Sequence, residues 1–162
     1  MNHQAEFVLV HFLVPSADGT RFRTADWPLH LTLVPPFKTD ASAAKVEETV
    51  TPLAPQTTPI PVPVGEPGQI GRAHDIPVMR IVANEALAEL HRTLLEALTP
   101  LRPHFRNKEY VGGGYNPHVT DQRAGRVETG HTFTVDSVSL VDMSTPGQRD
   151  VLRTVRFAST PS

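Results

Sequence analysis

Two short apolar runs, Trp27-Pro-Leu-His-Leu-Thr-Leu-Val34 and Asn116-Pro-His-Val-Thr120, each carry a His-x-Thr triplet close behind a proline. Their aliphatic and β-branched residues predict strands, and in a strand residues i and i+2 share one face about 6.5 Å apart. His30 and Thr32 therefore point the same way, as do His118 and Thr120. A fold that lays these strands together brings two imidazoles and two hydroxyls onto one surface. One imidazole can then take a proton from an attacking water while the other gives one to a leaving oxygen, which suffices for phosphodiester hydrolysis without a metal.

With 8 histidines in the chain, about one His-x-Thr arises by chance, so context must separate the copies. The third copy, His91-Arg92-Thr93, lies between Glu85 and Leu98, where Leu87, Leu90, Leu94 and Leu98 recur at helical spacing. On a helix, residues i and i+2 diverge, so His91 and Thr93 cannot share a ligand. His91 is predicted to be a partly buried helix residue beside the leucine stripe.

At 162 residues and 39% hydrophobic, the chain is long enough for one good core, and a single domain over 1–162 is expected. The net charge of −2 argues against coating long nucleic acid by charge alone and fits a small nucleotide or an RNA end better. The absence of cysteine excludes disulfides, thiol nucleophiles and cysteine metal sites. The N-terminus lacks a positive region, and the apolar run Phe7 to Val14 is short and interrupted by His11, so neither a signal peptide nor a membrane span is predicted. A cytoplasmic monomer without membrane contact is the expectation.

The remaining pattern is α+β. Phe7 to Val14 reads as a buried strand followed by a turn at Asp18-Gly19, and the first motif strand comes next. Asp40 is the candidate cap of a helix through Ala43, Ala44, Val46 and Val50 that Pro52 stops. Pro59, Pro61 and Pro63 alternate with Ile60, Val62 and Val64, which predicts an edge strand whose missing N–H groups face outward, or else a polyproline-like linker. Ile76 to Ala83 reads as a strand, with Asn84 capping the leucine-striped helix and Pro100 ending it. Strands are expected again around His118, at Thr132 to Val141 and at Val151 to Phe157, the last two as a hairpin around Ser144-Thr-Pro-Gly147. Strand pairing after each motif suggests two lobes of antiparallel sheet with helices outside.

Near the motifs, Arg102, His104, Arg106 and Lys108 alternate, and if extended they form a basic row, whereas Pro103 favours a solvated loop. Gly112-Gly-Gly114 reads as a flexible lid, a phosphate-contacting loop or a plain turn. Trp27, Phe37, Tyr110 and Tyr115 lie close to the motifs; Phe37 reads as core, while Trp27 and Tyr115 are the candidates for stacking a base. No Gly-rich loop ending in Lys-Ser or Lys-Thr and no Gly-x-Ser-x-Gly turn is present. The spare histidines His3, His11, His74, His104 and His131 lack zinc-site spacing, so no metal and no cofactor is expected.

The segments Trp27-Pro-Leu-His-Leu-Thr-Leu-Val-Pro-Pro-Phe37 and Asn116-Pro-His-Val-Thr-Asp-Gln-Arg123 resemble the paired signatures of the two-histidine (2H) phosphoesterase superfamily, which includes bacterial 2′-5′ RNA ligases and 2′,3′-cyclic phosphodiesterases. The separation of 88 positions from His30 to His118 leaves room for one lobe between the motifs. The resemblance implies two pseudo-symmetric lobes with a central cleft carrying both motifs. It further implies His30 and His118 as the acid–base pair, Thr32 and Thr120 as phosphate-binding hydroxyls, and a cyclic phosphate on RNA or a nucleotide as substrate, with ligation as the reverse reaction. Arg123 stands five residues after the second histidine, where relatives often carry arginine, and reads either as a phosphate ligand or as an exposed turn residue. Trp27, Tyr115, Arg106 and Lys108 are the further substrate-binding candidates. Asp121 and Gln122 depart from the family pattern, which places an apolar residue after the second threonine; either the strand ends at Thr120 or Asp121 finds a donor. A non-catalytic nucleotide or RNA-end binding module on the same fold is the alternative from another class, and a purely structural domain is a third.

Overall fold

The computed structural model describes residues 4–71 and 73–158. Its strands are β1 (Ala5–Phe12), β2 (Arg21–Arg23), β3 (His30–Thr39), β4 (Ile60–Ile70), β5 (Ile76–Ile81), β6 (His104–Phe105), β7 (His118–Thr120), β8 (Thr132–Val135), β9 (Ser137–Asp142) and β10 (Gln148–Arg156). They form one antiparallel sheet in the order β2-β10-β9-β1-β3-β7-β5-β4-β8, with β6 on the far end of β3. The two expected lobes are the halves of this sheet, β2-β10-β9-β1-β3 and β7-β5-β4-β8. They meet where Leu31 pairs with Val119.

Two helices, α1 (Ala43–Val50) and α2 (Glu85–Leu98), cover one face. Leu31, Leu33 and Phe37 of β3 pack there against Val46 and Val50 of α1 and Leu87, Leu90, Leu94 and Leu98 of α2, all buried. At roughly 1.5–3 kcal/mol per buried leucine, the stripe contributes about 6–12 kcal/mol of gross burial. A helix of 14 residues needs that tertiary support, because helices of this length are marginal alone. On the opposite face Val8, Val10 and Phe12 of β1 pack with Val141, Met143 and Val151 beneath Phe22 and Trp27. Burial on both faces explains why β1 reads as a continuous apolar run rather than an alternating one. Among the described residues no helix is long and apolar enough to cross a membrane.

Several elements differ from the sequence reading. The cap of α1 is Ser42, whose Oγ accepts from the Lys45 amide at 3.1 Å; Asp40 lies too early, because the cap must immediately precede the first helical residue. Pro52 ends α1 but not the turning chain, which continues as a 3-10 segment over Thr51–Gln56, since proline at the start of a helical turn forfeits no bond. Asn84 caps α2 as expected, its Oδ1 accepting from the Leu87 amide at 3.0 Å.

The proline-rich stretch is a strand; β4 as a whole is interior to the sheet, but its proline-bearing part has a strand partner on one side only. Ile60 to Pro63 pairs with β8, and Val64 to Ile70 pairs with β5. Pro61 and Pro63 turn their carbonyls to the Asn84 side chain and the Val82 amide, so the side lacking N–H groups faces donors and loses nothing. The strand expected over Thr132 to Val141 breaks at Asp136 into β8, beside β4, and β9, beside β1. The sheet curls to allow that step, and His11 of β1 stacks on Phe133 of β8 with ring centroids 6.1 Å apart.

Candidate active site

Pairing of Leu31 with Val119 fixes the geometry of both motifs. These two residues point into the helix-side core, so the residues flanking them point to the open face: antiparallel register sets His30 opposite Thr120 and Thr32 opposite His118. The two histidines lie on the diagonal, about 7–8 Å apart by sheet geometry and somewhat less between β-carbons. Neighbouring strands extend each rung. Phe12 of β1 stands beside His30 and Val78 of β5 beside Thr120, while Val10 stands beside Thr32 and Arg80 beside His118.

Each imidazole is held in the same way. His30 Nδ1 lies 2.9 Å from the Pro28 carbonyl and His118 Nδ1 lies 2.7 Å from the Asn116 carbonyl, in both cases two residues upstream. A carbonyl only accepts, so Nδ1 carries the hydrogen and Nε2 is the unprotonated nitrogen of the neutral ring. Burial pushes His30 down to about 4, against the bond to Pro28, and the nearby His118 ring lowers it further. His118 is also lowered, by burial first, against the bond to Asn116, and then by the Arg80 guanidinium. Both rings thus titrate below the ordinary imidazole value and are neutral at pH 7 in the free protein.

Arg80 is the residue that sequence reading missed. It is exposed, and no carboxylate pairs with it among the described residues. Its guanidinium lies close against Gly68, where an added β-carbon would overlap Nε, so glycine provides the room. The available signal was the alternation Val78-Met-Arg-Ile81, which places a lone cation on one face of an apolar strand.

Trp27 and Tyr115 both adjoin the site, but each already has an aromatic neighbour. The Trp27 ring lies 4.2 Å from that of His30 at a tilt of 32°, forming a wall behind the imidazole. Tyr115 stacks flat on His91 at 4.0 Å and donates its hydroxyl to the Thr32 carbonyl at 2.7 Å; burial pushes its phenol up. His91 of the third triplet is 1% exposed and uses both ring nitrogens: Nδ1–H donates to the Leu33 carbonyl at 2.7 Å, and Nε2 accepts the Gly112 amide at 2.9 Å. Gly112-Gly-Gly114 is accordingly an anchored 3-10 turn, with Gly112 at φ +67.

Arg123 is 76% exposed and lies 3.5 Å from Asp26, one residue before Trp27. The strand does end at Thr120, and Asp121 also finds a donor, taking Arg126 Nε at 2.8 Å. The stretch from Arg102 to Lys108 is the solvated loop that Pro103 favours, and the alternative basic row does not form. Only His104 and Phe105 are extended, Arg102 adopts φ +52, Arg106 pairs with Glu6, and Lys108 sits exposed in a 3-10 turn. A cavity of about 130 Å³ opens beside Thr32 and His118, walled by Pro35, Pro36, Ile70 and Tyr110, with Asn107 and Asn116 at its polar edge. Among the described residues no three His, Asp or Glu side chains converge as a metal site would require.

An α+β sheet of this topology with a His-x-Thr pair on each of its two central strands defines a phosphoesterase of the two-histidine type. The chain belongs to the 2′-5′ RNA ligase superfamily, whose family model matches residues 17–145. Among solved structures it is similar to one described as a phosphoesterase, at TM-score 0.61 and 15% identity over 96% of this chain and 99% of the other. It is similar also to E. coli LigT complexed with 3′-AMP, at TM-score 0.59 and 14% identity over 96% and 99%. A third is TT0787 of Thermus thermophilus, at TM-score 0.59 and 15% identity over 96% and 100%. No curated protein matches the chain.

Proposed function

We propose that residues 1–162 act as one two-lobed, metal-independent phosphodiesterase that opens 2′,3′-cyclic phosphates of RNA ends or nucleotides. His30 and His118 form the acid–base pair. Water attacks phosphorus, its proton passes to one Nε2, the bond from phosphorus to the 2′ or 3′ oxygen breaks, and the other imidazole protonates the departing oxygen. Thr32 and Thr120 donate to the non-bridging oxygens, bonds that strengthen as charge builds on the pentavalent phosphorus. Arg80 supplies positive charge beside His118, Arg123, paired with Asp26, supplies a second guanidinium, and the cavity walled by Pro35 and Tyr110 receives the nucleoside. With a 5′-hydroxyl replacing water as the nucleophile, the same groups open the ring onto it: its proton passes to one Nε2, the bond from phosphorus to the departing 2′ or 3′ oxygen breaks, and a phosphodiester joins the two strands.

The observation that carries this reading is the diagonal pair of imidazoles, each with Nδ1 tied to its own strand and Nε2 free. Complex formation between LigT and 3′-AMP, the open form of a cyclic nucleotide, adds support. A phosphodiester anion between the rings favours their protonated forms, supplying the acid that burial suppresses in the empty site. The test is turnover of 2′,3′-cyclic nucleotides with EDTA present, followed by phosphorus NMR, for the parent, His30→Ala and His118→Ala. The parent is expected to turn over and each variant to lose about 10²–10⁴-fold. Nucleotide binding without turnover by the parent would give the fold to the non-catalytic binding module instead.

A further inference from the structure

We propose that the site continues along β3 into a second anion subsite, formed by Arg149, Arg106 and Lys38, which binds an internal phosphate of an oligoribonucleotide; this rests on the hydrolase reading above. Lys38 pairs across the sheet with Glu6, and Glu6 alternates with Val8 and Val10 on the same face that carries Thr32. Glu6, Lys38, Arg106 and Arg149 line a second cavity of about 310 Å³. Three cations and one carboxylate give it a net positive charge in a chain that is negative overall.

The cluster is organised rather than merely basic. Glu6, 6% exposed, accepts from Arg106 through Oε1 and so fixes that guanidinium. Arg149 stacks over Trp27, its Cζ 5.8 Å from the ring centre, and Trp27 in turn walls His30. The Arg149 Nε is buried without an acceptor among the described residues, a donor that an incoming oxyanion would satisfy.

Length decides the class of ligand. Thr32 and Lys38 are six residues apart on β3, roughly 20 Å at strand rise. Both cavities adjoin the same stretch of β3: Pro36 lines the first, and Lys38 and Arg106, whose amide donates to the Pro36 carbonyl, line the second. Arg149, which reaches His30 through Trp27, lies within about 10 Å of that imidazole, so a mononucleotide anchored by its cyclic phosphate on the histidines can touch Arg149 but stops short of Lys38. The second or third nucleotide of a strand reaches Lys38 and Arg106 as well.

The experiment uses the whole chain with a tetraribonucleotide ending in a 3′-phosphate, a 3′-mononucleotide and a nucleoside 5′-triphosphate as competitors in fluorescence anisotropy, and the matching cyclic-phosphate tetramer and monomer in kinetics. The tetramer is expected to bind at least tenfold tighter than either competitor. Lys38→Met, at an exposed position, is expected to remove at least fivefold of that advantage and to lower the salt slope by about 0.7, the value for one phosphate contact on a single strand. Its kcat/KM on the cyclic monomer should stay within twofold of the parent. Equal binding of tetramer and monomer, or a triphosphate as strong as the tetramer, overturns the subsite. Turnover without length preference sinks the subsite alone, whereas Lys38-dependent tetramer binding without any turnover sinks the hydrolase reading and keeps the subsite.

Discussion

His30 and His118 are equivalent in sequence and unequal in surroundings. His30 is enclosed by Trp27 and Phe12, with its titration pushed down to about 4, while His118 stands beside the Arg80 cation of β5. Both folded values lie below that of free imidazole, so protonated rings are scarce in the empty site at neutral pH. The kcat/KM profile, which reports the free protein, should therefore be bell-shaped with its centre below pH 6.5, while the kcat profile, which reports the complex, lies at higher pH. Arg80→Met removes a charge that opposes protonation of His118; the limb belonging to His118 should move up in pH while kcat/KM falls about tenfold. Stopped assays across pH 4–9 check both points, and a kcat/KM bell centred above pH 7 would contradict the depressed imidazoles.

At the scale of elements, β7 has only 3 residues and meets β3 through the single pair Leu31 and Val119, so its placement depends on what flanks it. The turn before it is fastened by His91 through Gly112, and Tyr115 ties the same segment to Thr32. A helix side chain thus holds the loop that delivers the second motif to the first. His91→Leu leaves the Leu33 carbonyl and the Gly112 amide without partners and is expected to destabilise by about 2–4 kcal/mol. Urea denaturation measures the loss, and amide exchange at Gly112 should accelerate. An unchanged Gly112 exchange rate would show that the turn holds itself.

For the molecule as a whole, the sheet runs without a break from β2 to β8, and the helix-side core includes residues of both halves. Continuous packing predicts one cooperative transition rather than two. Trp27, the only tryptophan, reports the half built on β1 and β3, whereas far-ultraviolet circular dichroism reports the entire sheet. The two probes should give superimposable urea curves. Separate midpoints would mean that the Leu31–Val119 joint fails to couple the lobes.

Local chemistry alone determined much of this protein. The alternation of His30 with Thr32 and of His118 with Thr120, the leucine period of α2, the Asn84 cap and the turn at Ser144 to Gly147 each follow from neighbours a few residues apart, and each is present in the fold. The same local logic misread the stretch from Thr132 to Val141 as one strand, because the break at Asp136 exists only to serve two partners in opposite halves of the sheet. It missed Arg80, Arg149 and the tether from His91 to Gly112 for the same reason. Strand register and sheet order join residues far apart in the chain, and only tertiary packing decides which distant side chains share a face.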